Sequence, residues 1–552
     1  MRVEANMLQK AAGLWRSARA PRILKISAML LLILAPAKIL VQAAAQQAPA
    51  AATTAQAEPK IRSNSRLVLF DVVVTDRAGN PVTGLSKEDF EVSEDGEVQQ
   101  IASFETPAMH LTPEPAAQPT AHGAGKSSKE ARAAASATLP ETIIVLDEMS
   151  TDSADASFAW QMLIKFLRNK PATLPEPAAL LVLTKTRLQR VSEPTQDRSL
   201  LLERARKIQL ELPSHSMGGG VQASAQLMLT NLLALDEIAL ASADRHTRKN
   251  VIWIGSGFPI LSSYDVALVD RERFLSYIRY TANWLQETRT TLYTIDPKGL
   301  PVDETDYVTD LSGPLSGQDF GSNTGELIFE GLAPATGGKI YRYRNDVDVA
   351  LANAVDNGSN YYTLSYYPKN SDFDGNFRKI AVSLSQRNLT ATTQQGYYAV
   401  DEGTGTTKDE LDFALSRAVT SPLPFASIQF DAVGKVLLGQ PPTVRCSVSV
   451  DRDTLTWNPQ PNGDERTEVT LVTSEITAKS GILGYRVKEM EIVQSKKQFD
   501  ESPNHRVVFT VNVPLPPKTD HLRIVLRDAS TGHLGTFDVP RQGLGQQAAQ
   551  AK

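Results

Sequence analysis

One cysteine, Cys446, serves the whole chain of 552 residues. An intramolecular disulfide and a cysteine-based metal knuckle are therefore excluded. The seven histidines stand singly, with no H-x-x-x-H pair, so a zinc site lacks its usual ligands. An excess of one charge is missing too: 57 Lys and Arg against 62 Asp and Glu leave a formal net charge of -5. No basic face is available, so nucleic acid is not an expected partner. Beyond the N-terminal segment no apolar run is long enough to cross a bilayer as a helix. The strand-to-helix elbow of hydrolases needs G-x-S-x-G, whereas "WIGSGFP" has Ile254 and Phe258 in the outer positions. No constellation supports catalysis, and the expectation is a protein that is not an enzyme.

What the chain does have begins with Arg16, Arg19, Arg22 and Lys25 ahead of an apolar run from Ala28 to Ala35. This is the pattern of a secretory signal, assigned to residues 1–45, with small residues at Ala35-Pro36-Ala37 and Ala43-Ala44-Ala45 as cleavage points. An uncleaved anchor is the alternative, because Ile39, Leu40 and Val41 resume the run. The expected location is outside the cell, in the periplasm or in the cell envelope.

Composition then divides the chain. Residues 46–63 are small and polar, a disordered linker. Residues 64–106 carry three short strand patterns and form a small β module, and 107–140 is an Ala-, Pro- and Ser-rich flexible connector. From 141 to 400 strand and helix patterns alternate, which predicts an α/β fold with a doubly wound, mostly parallel, Rossmann-type sheet. "TIIVLD" is its first strand, apolar throughout as expected when both faces are covered. "YYTLSYYP" reads as a late strand of this sheet, and "RKIAVSLS" with "LTATTQQGYYA" as an antiparallel edge on it. Residues 401–417 are a linker and short helix. About seven short strands over 418–540 predict a C-terminal β-sandwich, with Cys446 in "TVRCSVSV" as a small buried hydrophobe. A disordered tail closes the chain at 541–552.

Several stretches in a shared order carry a resemblance: "VVVTDRAGNPVTGLSKEDFEVSEDGEVQQIASF", "LYTIDPKGL", "LAPATGGKIYRYRNDVDVAL", "YYTLSYYPKNSDFDGNFRKIAVSL" and "QQGYYA". Together with a first strand that ends in Asp and hydroxyls, they resemble the secreted VWFA-related-domain proteins of bacteria, abundant in acidobacteria. The resemblance spans about Arg66 to Ala399 and implies a von Willebrand factor A-like fold and an exported protein more than an activity.

That fold, where it binds metal, takes oxygen ligands from a D-x-S-x-S run, from a Thr in a second loop and from an Asp after the fourth strand. Here the resemblance places Asp147 and Thr151 as candidate metal ligands in a degenerate metal-ion-dependent adhesion site, for a divalent cation such as Mg²⁺ or Ca²⁺. Met149 replaces the first Ser, Ser150 is out of register, and the second loop offers only Ser216 or Ser224. Gly255-Ser256-Gly257 stands where the last Asp should be. Glu148, Asp152 and Asp155 could rebuild a site of different geometry. The competing reading is that Asp147, Ser150 and Asp152 cap the following helix and charge its start. No cofactor is expected from the residues themselves.

"NSDFDGNF", residues 370 to 377, opens like a calcium loop but lacks its closing Glu and reads as a hairpin connection. Tyr361, Tyr362, Tyr366, Tyr367, Tyr397 and Tyr398 fall in pairs whose members face opposite sides of a strand, for packing or for gripping a partner. The functional expectation is non-catalytic binding of a protein or surface polymer. Its face would lie at the carboxyl ends of the parallel strands, at Asp147, Ser150, Thr151, Gly218 to Gly220 and Ser256. The alternative is a structural or assembly factor of the cell envelope that acts through the sandwich.

Overall fold

The computed structural model describes residues 67–110, 139–185, 187–210, 221–243, 247–256, 260–261, 268–299, 327–399, 408–437, 442–501 and 505–544. The expected signal segment, the linker 46–63 and the loop carrying Ser216 and Gly218 to Gly220 lie outside the described residues.

Alternation in "VLFDVVVT" turns apolar side chains to one face and forms β1 (Val68–Thr75). After a turn in which the Asp76 carboxylate accepts from the amides of Ala78 and Asn80 come β2 (Phe90–Glu94), β3 (Glu97–Gln99) and β4 (Ile101–Glu105). Asp95 and Gly96 both take positive φ, 49° and 85°, the two-residue turn whose twist suits a hairpin.

The central sheet follows with β5 (Glu141–Asp147), β6 (Thr173–Leu183), β7 (Leu188–Asp197), β8 (Lys249–Ile254), β10 (Thr290–Ile295) and β12 (Ile340–Tyr341), while β9 (Ile260–Leu261) and β11 (Leu327–Ile328) form a separate two-stranded sheet. Its order is β12-β10-β8-β5-β6-β7, parallel throughout except for β7. Helices α1 (Ser153–Asn169), α2 (Arg198–Arg206), α3 (Val221–Ala241), α4 (Leu268–Glu287) and α5 (Val347–Ser359) flank it. Ile144, Leu146, Ile252 and Ile254 meet α1, α2 and α5 on one face. Ile143, Val145, Val251 and Trp253 meet α3 and α4 on the other.

Strands β13 (Tyr362–Tyr366), β14 (Phe377–Leu384), β15 (Thr390–Thr393) and β16 (Gly396–Tyr398) overturn two expectations. None of them joins the parallel sheet. They pair with the N-terminal strands in two antiparallel sheets of order β15-β1-β13-β4 and β16-β14-β2-β3. In register, Phe70 lies opposite Leu364 and Val92 opposite Val382. Separating 64–106 from 141–400 thus cuts across paired strands. The physical reason is that the inward row of β1 needs neighbours in its own sheet, which Tyr362, Leu364 and Tyr366 of β13 supply, and a second sheet across the core, which contributes Ile380 and Tyr397. The antiparallel edge of the central sheet is β7 instead, in "LQRVSEPTQD", a stretch too polar to announce itself. Pro107–His110, expected as flexible connector, is a helical turn whose His110 ring stacks on Tyr361 at 4.2 Å.

Helix α6 (Lys408–Thr420) leads to β17 (Phe430–Leu437), β18 (Thr443–Asp451), β19 (Asn458–Pro459), β20 (Glu465–Ile476), β21 (Ile482–Gln494), β22 (Arg506–Pro514), β23 (His521–Asp528) and β24 (Leu534–Pro540). They form sheets of order β17-β18-β22 and β19-β20-β23-β24, with β21 paired along β20. Cys446 is fully buried in the core between them, and burial pushes its thiol up to about 11. The disordered tail expected over 541–552 is corrected at its start, where Arg541–Leu544 is a helical turn with Leu544 in this core; 545–552 lie outside the described residues. Arg541 fixes it by donating to the carbonyls of Pro516, Pro517 and Thr519. No helix among the described residues is long and apolar enough to cross a membrane.

A buried ionic cluster binds the split N-terminal sheets to the amino ends of the parallel strands. Asp71 of β1 receives Arg289 at 2.5 Å and the Thr363 hydroxyl at 2.8 Å, with Arg248 at 3.5 Å. Burial alone would raise the Asp71 carboxyl, yet the two guanidiniums hold it below its ordinary value. Arg248 also lies over the Tyr361 ring at 4.9 Å. Glu176 of β6, 4 % exposed, borders this cluster. Burial pushes its carboxyl up to about 7, because Ser359, whose hydroxyl donates to the Val355 carbonyl, and Arg248 offset the desolvation only in part. The folded chain therefore keeps a proton that the unfolded chain releases between pH 4.5 and about 7, and stability falls as pH rises through that window. Asp236 and Glu237, pushed up by burial to about 6 and about 7, act in the same direction. Glu176→Gln is predicted to remove its share: between about pH 5 and about pH 8 the variant's melting temperature should fall less than that of the unaltered chain.

Candidate functional site

Strand β5 delivers Asp147 to the carboxyl end of the sheet, and the chain there turns before α1 begins at Ser153. The Asp147 side chain is fully buried. A carboxylate removed from water must be met by donors, and the surrounding chain supplies four. Oδ1 accepts from the amides of Met149 at 2.9 Å and Ser150 at 3.0 Å. Oδ2 accepts from the Ser150 hydroxyl and from the Trp253 indole N–H at 3.1 Å. Burial pushes the carboxyl above its ordinary value, against the pull of the Ser150, Trp253 and Met149 donors.

The neighbouring hydroxyls are committed as well. Thr151 Oγ1, buried, accepts from the amide of Ser256 at 3.0 Å, and the Ser256 hydroxyl donates to Asp155 Oδ2 at 2.9 Å. Gly255 lies so close that a Cβ built on it would stand 2.9 Å from Asp147 Cβ and 3.0 Å from Thr151 Oγ1. Gly255, the first residue of the stretch Gly255-Ser256-Gly257 in which the sequence resemblance expected a further ligand, therefore admits no side chain without rearrangement.

Asp147, Ser150, Thr151 and Ser256 lie close together, and their polar groups are taken up by internal hydrogen bonds. A divalent cation does not fit this arrangement. A hard cation needs free oxygen lone pairs, while both Asp147 oxygens already accept two hydrogen bonds each and Thr151 Oγ1 faces an amide. Among the described residues no group of three His, Cys, Asp or Glu side chains could hold a metal ion. The helix-capping reading also needs correction. Asp152 is the N-cap of α1 without a side-chain hydrogen bond, and Asp147 closes the turn ahead of the helix rather than the helix itself. Glu148 is buried, and Asp155 lies in the first turn of α1, where an acid suits the helix dipole.

Sequence reasoning missed Trp253. Its indole reaches Asp147 only because β8 lies beside β5 with Val145 opposite Trp253. The "IDPKGL" turn carries Asp296, whose Oδ1 accepts from the Lys298 amide at 2.9 Å and whose carboxyl burial raises. The tyrosines are mostly core: Tyr361, Tyr362, Tyr366, Tyr397 and Tyr398 are buried, and only Tyr367 of the six is exposed. Tyr366 and Tyr397 donate to the buried Glu94 carboxylate at 2.6 and 2.9 Å. In "NSDFDGNF" the carbonyls of Asn370 and Asp372 accept from the Arg378 guanidinium. The loop is organised around an internal cation.

No protein-family model and no curated protein matches the chain. Solved structures resemble parts of it. Proximal thread matrix protein 1 from the mussel byssus is 11% identical, covers 40% of this chain and has a TM-score of 0.25; the match spans 48% of that protein, about half its length. The conserved hypothetical protein BatB from Bacteroides thetaiotaomicron is 12% identical over 39% of this chain and 96% of its own, with a TM-score of 0.23. The VWA domain of SpRpn10 is 15% identical over 29% of this chain and 88% of its own, with a TM-score of 0.15. At these TM-scores the likenesses carry no argument, and the account rests on the strand pairing and contacts above.

Replacing Asp147 by Ala strands four donors in a buried site. The prediction is a loss of about 3 kcal/mol in urea unfolding, with Thr151→Val costing about 1 kcal/mol because one amide loses its acceptor.

Proposed function

We propose that the chain is an exported, non-catalytic interaction protein of the cell envelope whose central sheet is a doubly wound, von Willebrand factor A-like scaffold and whose contacts run through the C-terminal sandwich. The observation that carries this reading is β21. It is thirteen residues long, among the described residues pairs only with β20, and exposes Leu483, Tyr485, Val487 and Val493. An exposed edge of that length is a ready template for another chain. Of the residues first expected to bind at the strand-end face, Asp147, Ser150, Thr151 and Ser256 are turned to internal bonding, which favours the sandwich as the contact surface. The helices on both faces of a sheet of order β12-β10-β8-β5-β6-β7 support the scaffold half of the reading.

A second reading, partner capture at the strand-end face, keeps one supporting observation. Ser150 remains partly exposed there, and Asp152 is exposed beside it. The two separate by site-directed photo-crosslinking of the full chain in its own cells. With benzoylphenylalanine in place of Tyr485 the prediction is a discrete higher-mass adduct, and in place of Ser150 none. An adduct at position 150 alone would overturn the assignment to the sandwich.

A further inference from the structure

Resting on that reading, we infer that the β21 edge takes an extended polypeptide strand from a different protein, added antiparallel, with an acidic residue opposite Lys488 and a basic residue opposite Glu489.

The charges on the strand are unevenly paired. Arg486 is paired with Glu475 of β20, and Glu491 with Arg466 at 3.2 Å. Lys488 and Glu489 between them are exposed, and neither forms an ion pair among the described residues. They also point to opposite faces. Lys488 lies opposite Leu471, a residue of the sandwich core, while Glu489 lies opposite Thr470, on the same face as Val472 and Ser474. Two open charges of opposite sign, one on each face, make a code that an incoming strand can satisfy with adjacent residues.

A second copy of this chain cannot satisfy it. Two β21 strands related by a two-fold axis pair antiparallel, with residues of equal parity opposite each other, because cross-strand partners share a face. Centring that pairing on Lys488 or Glu489 places each against itself. Centring it on Val487 puts Arg486 against Lys488, and on Met490 puts Glu489 against Glu491. Like charges directly opposite are unfavourable. Every central symmetric register therefore carries a like-charge pair, so the edge resists its own kind.

The apolar residues set the rest of the partner. Val487, Tyr485 and Leu483 follow Glu489 along the exposed row. An antiparallel partner then reads, from its N-terminus, basic, acidic, and three apolar residues at alternate positions. Main-chain hydrogen bonds to the free edge would give affinity and the alternate side chains specificity, the general logic of strand addition.

The test uses the purified full chain and a synthetic peptide, Lys-Glu-Val-Thr-Val-Thr-Val, with its charge-exchanged control Glu-Lys-Val-Thr-Val-Thr-Val, both blocked at the ends. Calorimetry or fluorescence anisotropy should show the first peptide binding about tenfold tighter than the second, as expected when two cross-strand charge pairs change sign. The exposed double variant Lys488→Glu/Glu489→Lys should reverse that preference, and methylating alternate peptide nitrogens should abolish binding. Absence of binding, or a preference that the double variant leaves unchanged, overturns the inference. If the crosslinked adduct at position 485 still forms in that case, the sandwich remains the contact surface and only the strand-addition mode is lost. If neither is seen, both fall.

Discussion

A carboxylate buried in protein must find its counter-charge or its donors inside the chain, and three such groups organise this molecule. Asp71 draws Arg289, Arg248 and Thr363 together at the amino ends of the parallel strands. Asp147 gathers the Met149 and Ser150 amides, the Ser150 hydroxyl and the Trp253 indole at the carboxyl ends. Glu94 holds two tyrosine hydroxyls inside the split N-terminal sheets. Each is costly to bury alone and costly to disturb once surrounded. What makes Asp147 structural is the same requirement that would make it a metal ligand in another setting. The difference lies in whether the lone pairs are already used.

The Asp71 cluster explains how an inserted domain can interrupt a β structure without weakening it. Strands β1 to β4 find their partners in β13 to β16, beyond the whole parallel sheet. Pairing across that distance carries a chain-entropy cost that only a buried face and a fixed joint can offset. The inward row from Val68 to Val74 against Tyr362, Leu364 and Tyr366 provides the face. Arg248, which precedes β8, and Arg289, which precedes β10, provide the joint to the inserted sheet.

Much of the parallel sheet was legible in the sequence, because strands covered on both faces must be apolar along their buried length, as "IIVL" and "VIWI" are. The amphipathic spacing of α1 was legible for the same reason. Strand β7 was not, since an edge strand facing solvent can be polar throughout. The split of the N-terminal sheets was hidden because sequence alternation reveals a buried face but not its partner 290 or so residues away, a separation that local patterns cannot encode. At the candidate site, the sequence placed Asp147 at the end of one strand and Ser256 just after another. The closure of the site was not legible, because it depends on the Trp253 indole and on the close approach of Gly255, both set by the register of β8 beside β5.

The central claim is that the loop after β5 is an internally satisfied turn. Calorimetric titration of the chelator-treated full chain with Mg²⁺, Mn²⁺ and Ca²⁺ tests it most directly. The account predicts no saturable heat up to about millimolar ion, where carboxylate-poor sites for hard cations already bind weakly. Saturable binding that Asp147→Ala removes would contradict it.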